Sequence, residues 1–485
     1  MTAASMSVLS RDDIAKVHDG ALRLLSEVGV KIESRAVAEM LAKAGASIDP
    51  RKGFVLLPER MVSEALRTSP RKVRICSRGG VDHEIPNEGV QLISTDGQPP
   101  TVFDVSTGVK RPSTLRDLID LTVIADALPE VDFVWPPVVA TDMPSDRSSY
   151  FEFIAALAHT SKHVQHGAAT ADEANFQIEV CSAVLGSRED LRKRPIFSDV
   201  CTPISPLRYD AGEAEALVTL ARAGVPVVNL SMAIAGSVTP VSLAGSLAVI
   251  NAENLCGLTI SQTAAPGAPS IYSSFSGVTD LKSGVFLCGT PEGMLLDAAA
   301  IELARHYGLP SCAGGPSNAS RSLSAEAGYE SAMTSMASIL TGSDLLVGLG
   351  GLDRAGMVSP EKLVMDCEVW RWLERLRKGI SIDEQSMGMD AVERQGPGGT
   401  FLSDPHTLKF MRKDLMIPQV TAYHSPGAPD HSKDDLVEFA KRRVKEILGT
   451  HTPPLFDRAI AERVGAVTRK HGIVHKDGAQ IFRHA

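Results

Sequence analysis

Tyr272-Ser273-Ser274-Phe275, a helical apolar pattern over 292 to 307, then Gly314-Gly315-Pro316-Ser317-Asn318-Ala319-Ser320-Arg321 and Ala327-Gly328-Tyr329-Glu330 form the stretch that decides the fold. Short apolar runs end in clusters of small and polar residues, and each cluster opens into an amphipathic helix. A β/α barrel builds its active-site mouth in this way, because all strands end at one face and the loops leaving them carry the chemistry.

The same rhythm of apolar run, loop and helix extends outward from Ser113, as expected for parallel strands joined by crossover helices. Seven strands are expected at Phe133 to Val139, His163 to His166, Ile196 to Cys201, Val225 to Leu230, Pro269 to Ser273, Pro310 to Ala313 and Asp344 to Leu349. The eighth is placed between Met387 and Leu402, where Gly396-Pro397-Gly398-Gly399 interrupts the pattern. Helices are expected over 209 to 223, 242 to 263, 292 to 307 and 326 to 341. A doubly wound sheet alternates similarly, but no nucleotide fingerprint follows the first strand, and eight units suit closure. The fold class is therefore α/β, a TIM (β/α)8 barrel over 113 to 425. Before it, two helices within 11 to 47 and short strands at Phe54 to Leu57, Val73 to Cys76 and Gln91 to Ser94 read as an α+β module over 1 to 112. After it, helical patterns at 431 to 448 and 456 to 470 give an extension over 426 to 485.

The 485 residues are 44% apolar and 22% charged, ordinary for a globular chain with a large core. The net charge of −9 comes from interspersed acidic residues, and no basic stripe with aromatics is present, which excludes a nucleic-acid partner. Seven scattered cysteines without C-x-x-C spacing point to reduced thiols. No apolar run reaches the ~18 residues that span a bilayer, and the first residues lack a signal-peptide core. A cytoplasmic enzyme without a membrane partner, assembled as a homo-oligomer, is expected.

Further segments carry a resemblance: Leu24-Leu25-Ser26-Glu27-Val28-Gly29-Val30, Asp126-Ala127-Leu128-Pro129, Pro136-Pro137-Val138-Val139, Pro203-Ile204-Ser205-Pro206-Leu207, Asn251-Ala252-Glu253, Ala327-Gly328-Tyr329-Glu330 and Asp404-Pro405-His406-Thr407-Leu408. Together they resemble the trimethylamine methyltransferase family, in its members lacking pyrrolysine, over about the whole chain. The resemblance implies a TIM barrel that moves a methyl group from a methylated amine to the cobalt of a corrinoid (cobalamin) on a separate protein. It also implies a second methyltransferase that passes the methyl to a folate. Where trimethylamine enzymes carry pyrrolysine, this chain has Ser320-Arg321-Ser322. A quaternary ammonium already bears its positive charge, so its methyl can be attacked without an acid, given alignment. Glycine betaine is thus the expected substrate. Trimethylamine is the rival within the same chemistry; a barrel lyase and a non-catalytic betaine-binding protein are the rivals outside it.

A permanent cation cannot donate a hydrogen bond and is held by ring faces and opposite charge. Aromatics are 5% of the chain, so those near strand ends are the candidates for substrate binding: Tyr272, Phe275 and Trp135, then Phe103 and Tyr329. Each could equally fill a barrel layer. Asp353, just beyond the seventh strand, could face the cation or cap a helix. Arg321 could pair through its planar fork with a substrate carboxylate, or be a solvated loop residue. These two are the catalytic candidates; Glu253 and His166 complete the binding set, Glu253 with a structural ion-pair role as its alternative. His163 and His166 stand at i, i+3 on a strand, point to opposite faces and make a poor metal pair, so no metal is expected. Asp404-Pro405-His406 begins like a cobalamin-binding signature, but Lys409 stands where glycine is required, so the corrinoid is expected on the partner. The glycines of Gly348-Leu349-Gly350-Gly351 are expected to let that large planar group approach.

Overall fold

The computed structural model describes residues 4–87, 89–418 and 436–473. Eight parallel strands close into a barrel in sequence order. They are β1 (Leu92–Thr95), β2 (Phe133–Val134), β3 (His163–His166), β4 (Phe197–Cys201), β5 (Val227–Ser231), β6 (Ser270–Ser274), β7 (Ser311–Gly314) and β8 (Leu345–Leu349). β8 pairs with β1 through Leu345 opposite Leu92, which completes the ring. Each strand is followed by an outer helix: α1 (Leu115–Ala127), α2 (Ser148–His159), α3 (Ala171–Leu185), α4 (Ala211–Ala223), α5 (Leu243–Ala264), α6 (Pro291–Tyr307), α7 (Ala325–Thr341) and α8 (Pro360–Arg377).

Local sequence starts and stops these helices. Thr114 and Asp117 form a capping box on α1, and the side chains of Thr170, Asp210, Thr290, Ser324 and Ser359 cap α3, α4, α6, α7 and α8. Gly224, Gly308 and Gly342 end α4, α6 and α7 in the left-handed conformation that lacks a Cβ penalty. Because each cap lies at the end of the loop that leaves a strand's carboxyl end, helix amino termini gather at the carboxyl face of the barrel.

Three expectations are corrected here. The barrel begins at Leu92, inside the stretch assigned to the amino-terminal module, and the segment from Met387 to Leu402 holds a helix, Met389–Gln395, and loop rather than a strand. With Leu92-Ile93-Ser94-Thr95 as the opening strand, eight units are complete at α8. The second strand is also shorter than expected, ending at Val134, because Pro136 and Pro137 have no N–H to donate to a ladder.

The amino-terminal helices Arg11–Arg23, Arg35–Ala44 and Glu59–Thr68 pack on α5. Sandwiched between them and the strands, α5 is buried on nearly all sides, which explains why it is apolar all round. It is the one described helix long and apolar enough to cross a membrane, and it sits in the core. The antiparallel pair Val73–Ile75 and His83–Ile85 buries Val73, Ile75 and Ile85 against lumen residues Leu92, Phe133 and Ile271, so it closes the barrel at its amino-terminal end. At the carboxyl end, Thr101–Asp104 and Val109–Pro112 join Gly351–Leu352 and Met357–Val358 in a four-stranded sheet. Ile234–Ala235, Gly277–Thr279 and Phe286–Leu287 form a second small sheet from the loops after β5 and β6. Helices Leu436–Thr450 and Arg458–Lys470 pack outside, on α8 and α3; 431–435 of the first expected helix lies outside the described residues.

Candidate active site at the barrel mouth

Strand alternation decides which side chains reach the lumen. On β6, Ile271 faces inward with Val228, Leu230 and Cys312, and Phe275 continues that face at the mouth beside Trp135 and Met232. Tyr272 is on the other face. Its ring packs in the outer core and its hydroxyl donates to Asn251 Oδ1 at 3.1 Å, so it lines no mouth. Tyr272 and Phe275 are three apart, and a period of two sends them to opposite sides.

β3 divides the two histidines in the same way. His163 faces inward, with Nδ1 2.8 Å from the Cys76 carbonyl and Nε2 2.9 Å from Ser198 Oγ. His166 faces outward between α2 and α3, edge-on to Phe153, and burial lowers its pKa to about 4, so it is neutral. Gln165 shares the inner face of His163, and neither its side-chain oxygen nor its nitrogen finds a partner among the described residues. Such a buried amide costs about 1–3 kcal/mol per unpaired group unless something pairs with it.

Trp135 is held from two sides. A Cβ on Gly97 would lie 2.3 Å from Trp135 Cδ2, so the indole rests against the Gly97 backbone, and Nε1 donates to Gln98 Oε1 at 3.4 Å. Gln98 adopts φ +59° and donates onward to Glu152 Oε2 at 3.0 Å, so the ring is anchored through a buried carboxylate on α2. Gly314 makes room similarly for Phe275, whose Cδ2 would be 3.0 Å from a Cβ there.

Asp96, the residue after β1, was not singled out by sequence reasoning. It stands one residue before Gly97, directly after the end of β1. Only the Gly97 N–H, at 2.9 Å, donates to its carboxylate among the described residues. Burial raises its pKa to about 6, against the pull of that bond; Asp366 adds to the rise and Lys362 opposes it.

Arg321 and Asp353, expected at opposite ends of a substrate, hold one another. Asp353 Oδ1 is 3.3 Å from Arg321 Nε and also contacts Arg354, while Oδ2 accepts from Lys110 Nζ at 2.9 Å. Burial pushes this carboxyl up, but the Lys110 bond and the charges of Arg354, Lys110 and Arg321 outweigh it and leave its pKa below the usual range. Asp353 is a buried anchor under three cations, not a free counter-charge. Asp353, Arg354 and Ala355 all have positive φ, of 50°, 61° and 60°, a conformation costing roughly 1 kcal/mol or more for each non-glycine residue. It is held by Asp353 N–H to the Ser320 carbonyl at 2.7 Å and Arg354 N–H to the Asn318 carbonyl at 3.0 Å. Phe103 packs beneath this rim with Leu323, Ala327, Leu352 and Met357. Tyr329 lies 61% exposed on α7.

The glycines after β8 do not open space. A Cβ at Gly350 would meet Leu363 at 3.1 Å, and one at Gly351 would meet Asp96 Oδ2 at 2.3 Å, so both are demanded by internal packing. Glu253 is likewise internal. It accepts from the Leu207 N–H and Ser205 Oγ at 2.9 Å each and from Ser231 Oγ, and burial raises its pKa against those bonds. Glu253→Ala strands buried donors and is expected to cost about 3 kcal/mol in urea unfolding, with substrate preference unchanged; a shift in preference at full stability would return Glu253 to the site.

A closed barrel with aromatic faces, a carboxylate and an unpaired amide at its carboxyl end defines a TIM-barrel enzyme. The chain matches the model of the trimethylamine methyltransferase (MTTB) family over residues 1–473; it belongs to that family and is a methyltransferase. It is 29% identical over 469 residues, 96% of this chain and 97% of the relative, to a glycine betaine methyltransferase of Desulfitobacterium hafniense (strain Y51). It is 28% identical over 462 residues, 95% and 93% of the two chains, to the trimethylamine methyltransferase MttB of Desulfitobacterium hafniense (strain DSM 10664 / DCB-2). The crystal structure of the Methanosarcina barkeri monomethylamine methyltransferase (MtmB) shares the fold, with a TM-score of 0.54 at 12% identity over 91% of this chain and 89% of that one.

Proposed function

We propose that this enzyme takes a methyl group from a quaternary amine, glycine betaine foremost, and delivers it to a corrinoid carried by a separate protein in the cytoplasm. The observation that carries the reading is Trp135, an indole anchored by Gly97 and Gln98 at the lumen mouth. An indole face is the strongest of the side-chain rings for a cation without N–H groups. Phe275 supplies a second apolar wall, and the Gln165 amide is a neutral donor for the carboxylate of a betaine. Support also comes from the full-length similarity to a relative named glycine betaine methyltransferase, and from the ordinary residues Ser320-Arg321-Ser322.

The partner's corrinoid supplies the nucleophile. This chain's part is to bind the ammonium, present one methyl towards the open mouth and keep the leaving amine aligned, an entropic contribution that bimolecular reaction in water lacks. No proton is needed, since the departing nitrogen leaves as a neutral amine. Arg321 and Lys110, exposed above Asp353, are assigned to meeting the corrinoid protein. Arg321→Ala is expected to change stability by less than about 1 kcal/mol, as exposed ion pairs do. It should leave the amine KM unchanged while raising the KM for the corrinoid protein and flattening its salt dependence. An unaltered corrinoid-protein KM would remove Arg321 from the docking rim.

The test of the function is methylation of the reduced corrinoid protein, followed by its visible spectrum, with glycine betaine, carnitine, proline betaine and trimethylamine offered separately. Methylation from glycine betaine is expected. Methylation from trimethylamine alone, or from none of the four, overturns the reading.

A further inference from the structure

We propose that Asp96 is the counter-charge of the substrate ammonium, making the mouth a two-component cation pocket in which Asp96 supplies the charge and Trp135 the face. The inference rests on the quaternary-amine reading above. It is carried by how the carboxylate is held. Asp96 stands at the end of β1, where its backbone N–H is fixed to the Leu349 carbonyl at 2.9 Å. One oxygen accepts from Gly97 N–H, while the other lies so near Gly351 that any side chain there would collide with it. No side-chain donor among the described residues reaches either oxygen, although the residue is only 7% exposed. Buried carboxylates are ordinarily paired or richly hydrogen-bonded, because desolvation is costly. Asp353, also at the mouth, is by contrast paired with three cations.

The residue next to Asp96 is Gly97, on whose backbone the Trp135 indole lies. Charge and ring are therefore set by adjacent positions of one turn, and a trimethylammonium group resting on the ring comes within Coulomb reach of the carboxylate. A methylated nitrogen suits this carboxylate because it asks only for charge and shape, whereas an ammonium with N–H groups would demand acceptors on several sides. The titratable groups facing Asp96 are Asp366 and Lys362 from α8 and Cys288 from the loop before α6. Lys362 is committed to Asp366, and burial pushes the Cys288 thiol up to about 12, so it stays neutral.

The chemistry gives this residue a distinctive kinetic mark. As the methyl leaves, positive charge leaves the nitrogen, so a carboxylate beside it stabilises bound substrate more than the transition state. Removing the charge should raise KM and leave kcat unchanged or higher, a split that a structural role does not produce. Affinity for the cation should also fall as pH drops through about 6, where the free carboxyl takes a proton.

The experiment is calorimetric binding to the intact chain, wild type and Asp96→Asn, with three probes: glycine betaine, tetramethylammonium, and 3,3-dimethylbutanoate, in which carbon replaces the charged nitrogen. Wild type is expected to bind both quaternary-ammonium probes at least tenfold more tightly than 3,3-dimethylbutanoate, whose tert-butyl head carries no charge, with their affinity falling below pH 6. In Asp96→Asn the preference should collapse and the pH dependence vanish. The pH series on wild type needs no variant, so a poorly folded Asn protein does not block the test. Tetramethylammonium that fails to bind, binds both proteins alike, or binds wild type independently of pH from 5 to 8, overturns the proposal. Tetramethylammonium bound in the Asp96-dependent manner with glycine betaine rejected upholds the pocket and overturns the betaine reading instead.

Discussion

Trp135→Ala is expected to raise the KM for the quaternary amine about 30-fold, corresponding to the ~2 kcal/mol of a desolvated cation–ring contact, with a much smaller effect on kcat. Trp135→Phe should recover part of the loss, since a smaller ring keeps a weaker face. Gly97→Ala reaches the same end differently: its Cβ would fall 2.3 Å from Cδ2 and 2.4 Å from Cε2 of the indole, so the ring must leave its bed. Steady-state kinetics with glycine betaine separates the cases. A KM for Trp135→Ala within threefold of wild type would take the indole out of the site.

The largest effect on stability is expected at Lys362→Met. Lys362 and Asp366 are a buried ion pair on successive turns of α8; Lys362 Nζ also donates to Ser331 Oγ on α7 at 2.9 Å, and Asp366 Oδ2 accepts from Gly350 N–H at 2.9 Å. The pair ties two outer helices to the loop that leaves β8. Removing one partner leaves a buried charge uncompensated, which costs about 3–5 kcal/mol. Burial already raises the Asp366 pKa, against the opposing effect of Lys362, and losing the lysine raises it further. A carboxyl whose folded pKa lies above its unfolded value of 3.8 binds its proton more readily in the folded state. The variant's deficit should therefore shrink as pH falls towards 4 and grow as pH rises through the folded pKa. Urea unfolding at several pH values checks this; a loss under about 1 kcal/mol at pH 7 would mean that Asp366 is solvated after all.

The repeating units of the barrel were legible because each has an apolar run, a small-residue turn and a capped helix. The strand expected at Gln91 to Ser94 falls on β1, but its sequence does not mark it as part of the ring. β1 is four residues long, and the rim hairpin Thr101–Asp104 and Val109–Pro112 separates it from α1, which hides the β/α rhythm. Faces were harder than elements. On β6 the sequence Ser270-Ile271-Tyr272-Ser273-Ser274 mixes polar and apolar residues on both sides, since both faces are buried. Nothing in the stretch says that Ile271 rather than Tyr272 looks into the lumen. The pairing of Arg321 with Asp353 joins loops from two strands and could not be read along the chain. Asp96 carries a signal that sequence reasoning missed, an acid directly at a strand end followed by glycine.

The hairpin Val73–Ile75 and His83–Ile85 stoppers the barrel from below. On the proposed chemistry, amine, spent amine and corrinoid partner must then share one doorway. Turnover should be compulsorily ordered, with amine loading first and the demethylated product escaping only after the partner departs. Crowding the assay with corrinoid protein would slow the enzyme by shutting that door before it has been fed.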